Sequence, residues 1–189
     1  MGIIENHKDK KAAKHYQKEQ AYISKKGNSV CLIIQRQKKD RFTVFNADQL
    51  ILYYVQGYVS PKNSRHVLQL QDSDRNIIGF VRKDKMSQRS AVFHETNPAD
   101  YQIEANGQQL ASVKTVLTTG DDLYAVEPYG WTITGKRFDG DYNVNNGTDI
   151  VAHVSKRKGY DVSTYILDFP NAAQEIIALM IALTIVCIE

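Results

Sequence analysis

Between residues 29 and 169 the apolar residues of this chain fall into short runs, each closed by residues that favour turns. The runs cover 29–36, 42–45, 49–59, 66–71, 77–83 and 90–95 in the first half. Those at 101–105, 108–117, 130–138, 142–144, 150–158 and 161–169 complete the series. Their alternation and their Val, Ile, Tyr and Phe content predict β-strands. Asn106-Gly107 and Asn146-Gly147 stand between such runs and predict tight hairpins, because both residues accept the positive φ of a type I′ turn. About a dozen strands at near-regular spacing is the signature of an all-β sandwich or barrel.

The pattern changes after Pro170 and Asn171, which stop the last strand. Of the seventeen residues 172–188 only Gln174, Glu175 and Thr184 are polar, and no Gly or Pro interrupts them. This predicts a helix that is apolar all round, which must be surrounded by protein or by lipid. At roughly 25 Å it is short of the ~20 apolar residues of a bilayer span, so a buried core helix is the stronger reading and a tail anchor the weaker. Three of the strands repeat an order: Ile77-Ile-Gly-Phe-Val-Arg-Lys83, Leu110-Ala-Ser-Val-Lys114 and Ile150-Val-Ala-His-Val-Ser-Lys-Arg157. Each starts buried, places a small residue where another backbone comes close, and leaves with a charge. A closed barrel of about 12 antiparallel strands around the C-terminal helix buries both sets of apolar surface and removes exposed edges.

Charge divides the chain. Residues 1–26 carry seven Lys against three acids, a balance of +4, and the remainder is left at −1. The first 26 residues therefore read as a basic leader, helical or disordered, and 27–189 as one domain. The leader is either a solvated tail or an arm for anionic lipid or nucleic acid. A near-neutral fold argues against a nucleic-acid-binding domain. Cys31 and Cys187 both sit in apolar runs and read as small buried hydrophobes, with no disulfide framework or zinc spacing. The N-terminus lacks the apolar core of a secretory signal, and Asn6 departs from the myristoylation pattern, so a cytoplasmic protein is expected.

The segments 42–59 and 66–83, then 130–144, 150–158 and 161–169 before the terminal helix, resemble the LURP-one-related family. That group is similar to the bacterial YxjI-type proteins and to the tubby C-terminal-like fold, which phospholipid scramblases also resemble. The resemblance spans about 40–189 and implies a twelve-stranded barrel threaded by the C-terminal helix. It implies no particular chemistry. Tubby proteins bind phosphoinositide head groups through basic residues on the barrel surface, and none of those residues is carried over here. Asn46 and Gln49 stand where the family usually has the Asp and Gly of the first hairpin turn, which brings that turn's geometry into question.

The sequence carries no nucleophile beside a base and no metal-ligand spacing. The five histidines are scattered, and His153 reads as an outward strand residue. Asp121-Asp122 and Asp139/Asp141 accompany Gly120 and Gly140, where Asp supports turns. Asn146-Gly-Thr148 is a formal glycosylation acceptor, but the hairpin reading prevails. Trp131 reads as a packing residue. What remains are basic residues at strand ends: Arg82 and Lys83 (with Lys85), Lys136 and Arg137, and Lys156, Arg157 and Lys158. Gathered at one rim they would hold an anionic head group. The expectation is a non-enzymatic, cytoplasmic binding module without cofactor or metal. Its ligand would be anionic, a phospholipid head group at a membrane surface or an acidic partner. The alternative is a structural or protein-interaction domain with no small ligand.

Overall fold

A computed structural model describes residues 30–38, 40–60, 66–83, 100–116, 122–136, 140–160 and 162–188. Twelve strands occur in chain order: β1 (Val30–Lys38), β2 (Arg41–Phe45), β3 (Ile51–Val59), β4 (His66–Asp72), β5 (Ile77–Lys83) and β6 (Tyr101–Ala105). They continue as β7 (Gln108–Thr115), β8 (Asp122–Glu127), β9 (Trp131–Lys136), β10 (Asp141–Asn146), β11 (Asp149–Arg157) and β12 (Thr164–Phe169). Each strand pairs antiparallel with its sequence neighbours, and β1 closes on β12, giving an up-and-down barrel. A 3₁₀ turn (Ala172–Gln174) and the helix α1 (Glu175–Ile188) follow.

The helix is the core. Leu179 to Leu183, with Ile185 and Val186, are at most 2 % exposed and join one cluster with the inward residues of the strands. Asn171 caps the start of the helical segment, its side chain accepting from Ala173 N at 3.0 Å. The repeated strand pattern has its explanation here. Gly79, Ala111 and Ala152 all face inward, and a Cβ on Gly79 would sit 2.9 Å from Met180 Cε and 2.7 Å from the Glu104 carbonyl oxygen. The small residues make room for the helix and the neighbouring strand.

Two hairpins share one device. Asn46 Oδ1 accepts from Asp48 N and Leu50 N at 3.0 and 2.9 Å, and Gln49 takes φ 64°. Asp72 Oδ1 accepts from Asp74 N and Asn76 N at 2.9 and 2.8 Å, and Arg75 takes φ 71°. The first hairpin therefore forms with Asn46 and Gln49 in place. An Asx side chain does the same work in both turns, and a long side chain tolerates the left-handed position at modest cost.

Two sequence expectations change. Strand β8 lies in 122–127, a stretch with only Tyr124 and Val126 turned inward, too weak an apolar pattern to stand out. The strand expected at 90–95 lies outside the described residues. The last hairpin loop is Gly147-Thr148, one residue later than expected, with Asn146 still paired to Asp149 and the positive φ at Gly147 alone. Asn106-Gly107 does take positive φ at both residues, 51° and 76°, as a type I′ turn requires.

The two ends of the barrel differ. Where even strands pass into odd ones, the connections are only two to five residues long. At the other end four of the six connections are six residues or longer, and the one from Lys83 to Tyr101 is the longest. Because β12 delivers the chain to the tight-turn end, α1 threads back and finishes at the long-connection end, called the mouth below.

Candidate functional site

Every odd-numbered strand ends at the mouth, so Arg82 and Lys83, Lys136, and Lys156 to Lys158 share one rim, as the pattern suggested. The ring order separates them. Strands β5 and β11 are six apart in a ring of twelve, on opposite sides, whereas β9 and β11 are two apart, about 10 Å. Arg137 falls outside the described residues.

Alternation divides the clusters again, because consecutive side chains on a strand point to opposite faces. Following inward Gly79 and Val81, Lys83 turns into the mouth and Arg82 turns out. Arg82 ion-pairs with Glu104 and lies over the Phe80 ring. Following inward Ala152 and Val154, Lys156 turns in and stands 5.6 Å from the centroid of the Tyr165 ring, while Arg157 turns out. Lys158 is exposed. The same rule brings in a cation that the sequence reading missed. Leu32, Ile34 and Arg36 form the inward series of β1, and Arg36 donates to the Val186 carbonyl at the end of α1 while lying over Phe42. A cation at a helix C-terminus meets both the orphan carbonyls and the negative end of the dipole.

Beside the helix end is a cavity of about 300 Å³. Val59, Leu68 and Val81 give it apolar walls. Asp40, His66, Lys83, Tyr101, Thr184 and Cys187 give it polar ones. Asp40 reaches the cavity because Gly57 lets the β1–β2 turn lie across β3; a Cβ there would be 2.4 Å from Asp40 Cβ. The Asp40 carboxylate lies 3.5 Å from His66 Nε2. Thr184 Oγ1 donates to the Met180 carbonyl at 2.8 Å. Burial pushes the Cys187 thiol up to about 12, against a smaller downward pull from Arg36, and burial likewise raises the Tyr101 hydroxyl. Both stay protonated at neutral pH and act as hydrogen-bonding or apolar wall, not as nucleophiles.

Lys83 is half-buried in this wall and makes no ion pair or hydrogen bond with the described residues. The other inward cations are engaged: Arg36 with the helix end, Lys156 against an aromatic face. Exposed Tyr58 and Val59, the latter 62 % exposed, stand at the adjacent end of β3. His66, Tyr101 and Arg36 were legible in principle, as the outermost members of the inward series His66-Leu68-Leu70, Tyr101-Ile103-Ala105 and Leu32-Ile34-Arg36.

The sequence-level sites elsewhere are structural. Trp131 is buried in the core and stacks on Tyr129 at 4.4 Å. His153 is an outward residue whose Nδ1 lies 2.8 Å from Asn143 Oδ1. Cys31 is buried, whereas Cys187 lines the mouth. Among the described residues no three His, Cys, Asp or Glu side chains converge on a metal position, and no helix is long and apolar enough to cross a membrane.

The family model for LURP-one-related proteins matches residues 30–188, the whole barrel and its helix. A crystal structure of a protein from Arabidopsis thaliana is similar at a TM-score of 0.54 and 18% identity. The alignment covers 84% of this chain and 89% of that one, a likeness of fold. No curated protein matches the chain.

Proposed function

The chain belongs to the LURP-one-related family, and from that premise we propose that it is a non-enzymatic binding module whose site is the mouth of the barrel. The ligand is anionic, a phospholipid head group held by Lys83, with the protein cytoplasmic and peripheral at the membrane. The observation that carries this reading is the orientation of Lys83: a half-buried ammonium facing a cavity with no partner among the described residues. A charge in that position is stabilised by an incoming anion. Arg36 already answers the helix end, so Lys83 is not needed there. Apolar Val59 and Tyr58 beside the cavity suit the region beneath a head group. Beside Lys83 and the His66–Asp40 pair, the cavity's titratable groups are a thiol and a phenol that burial keeps protonated, which favours binding over catalysis.

The test is co-sedimentation of the full chain with vesicles of anionic against neutral phospholipid. Binding to anionic vesicles should weaken with salt and fall about 10- to 100-fold with Lys83→Glu, the scale of one charge-assisted contact. Equal binding to both vesicle types, or none to either, would defeat the reading. A protein-interaction role would then gain ground on a separate observation. Exposed Leu50, Ile51, Ile77, Tyr129 and Ile150 all lie at the tight-turn end, where they could meet a protein surface.

A further inference from the structure

The outer wall of the barrel changes character between β12 and β4. Cys31, Ile33 and Ile166 form an apolar cluster there with Phe45. Next to it, on β2 to β4, a run of outward positions is polar. Phe42, Val44, Val55 and Leu70 belong to the inner core, so by alternation Arg41, Thr43, Tyr54, Gln56 and Gln71 turn outward. Register sets Thr43, Tyr54 and Gln71 side by side across three strands, with Arg41 and Gln56 in the next row, about 7 Å nearer the mouth. Together with Arg75 they line a groove of about 280 Å³. Arg75 comes from the β4–β5 turn, where it holds φ 71°, a position that favours glycine. Its guanidinium lies 3.3 Å from the centroid of the Tyr54 ring.

We propose that this groove binds a phosphate monoester, carried by a free small molecule or by a side chain of a soluble protein partner. Among the described residues its lining holds two guanidinium groups and no carboxylate. Neither the Arg41 nor the Arg75 side chain makes an ion pair or hydrogen bond with a described residue. The carboxylates close by in sequence are directed elsewhere. Asp72 accepts from the Asp74 and Asn76 amides and the Asn76 side chain, and Asp40 faces His66 at 3.5 Å. Asp74 is exposed and outside the lining. Stacking holds the Arg75 guanidinium by its face and leaves the in-plane N–H donors free, the geometry in which arginine grips a phosphate through two parallel bonds. Two such forks suit a dianion better than a singly charged carboxylate. Thr43, 9 % exposed, and the amides of Gln56 and Gln71 supply neutral donors for the remaining oxygens. The left-handed backbone at Arg75 fits this role, since a glycine there would relax the turn but bring no donor. The site is separate from the mouth, because Lys83 leaves the inner face of β5 and this groove lies on the outer face of β2 to β4.

Nuclear magnetic resonance on the full chain tests the groove. Titration with O-phosphoserine or inorganic phosphate should shift the side-chain amide signals of Gln56 and Gln71 saturably, and unphosphorylated serine should not. Arg41→Gln and Arg75→Gln should each weaken the response roughly tenfold or more, the scale of one charge-assisted contact, while Arg82→Gln keeps it. Arg75→Gly relieves the left-handed position, so it serves if a glutamine variant folds poorly, and its response should fall as far. A short phosphoserine peptide that binds more tightly than phosphoserine would assign the monoester to a protein partner, and equal binding would assign it to a small molecule. The proposal is overturned by the absence of a saturable shift, by shifts confined to the mouth, or by a full response in folded Arg41→Gln or Arg75→Gly. A response to anionic phospholipid vesicles but to neither soluble phosphate would overturn it as well.

Discussion

Two adjacent residues, Arg82 and Lys83, show what a run of like charges means on a strand. The sequence presents them as one basic cluster, but the pleat sends one to Glu104 on the outer wall and the other into the mouth. The same scale explains the hairpins. Asn46 satisfies two backbone amides, so Asn46→Ala should cost about 1 kcal/mol in urea unfolding, the loss typical of such side-chain-to-backbone bonds. Gly79→Ala should cost about 1–3 kcal/mol, because the new methyl meets the Glu104 carbonyl as well as the flexible Met180 end. At Cys187, burial raises the folded thiol from about 9 to about 12. Between those values the unfolded chain has lost the proton and the folded chain keeps it. Stability therefore falls as pH rises through that window, by up to about 1.4 kcal/mol per pH unit for one proton. Denaturation of Cys187→Ser followed from pH 8 to 11 should show a shallower decline than the parent.

At the scale of elements, the apolar helix was the most legible feature, because seventeen residues with three polar ones leave little room for another reading. Most strands were legible for the same reason: Leu32-Ile34, Leu68-Leu70 and Val81 announce an inner face by alternation. Strand β8 escaped because only Tyr124 and Val126 carry its inner face, and acidic residues close both ends. The outer cluster of Cys31, Ile33 and Ile166 escaped for the opposite reason. A continuous run such as Val30 to Ile34 signals burial on both faces but does not say what lies on the second. Leu179 sits at the centre of the packed helix at 0 % exposure. Leu179→Ala should destabilise by about 2–5 kcal/mol, with the cost set by how little the surrounding strands can collapse. Removing residues 172–189 should leave no soluble, cooperatively folded barrel, and a sharp unfolding transition in that variant would contradict the central role of the helix.

At the scale of the molecule, closure follows from the elements, since twelve strands and one apolar helix bury their surfaces together only when the sheet wraps the helix. The site was half legible. The sequence places the basic residues at one rim, which follows from antiparallel order, but strand parity and the six-strand separation of β5 from β11 decide which of them face a cavity. Those facts depend on register. The functional account accordingly rests on Lys83 and its direction, and the neighbouring residue is its control. The decisive measurement is anionic-vesicle binding by full-length Lys83→Gln and Arg82→Gln at matched stability. The account predicts that Lys83→Gln loses most of the binding while Arg82→Gln, which removes an outward and already paired charge, keeps it. Equal loss in both variants would mean a diffuse basic surface, and retention by Lys83→Gln would remove the mouth as the site.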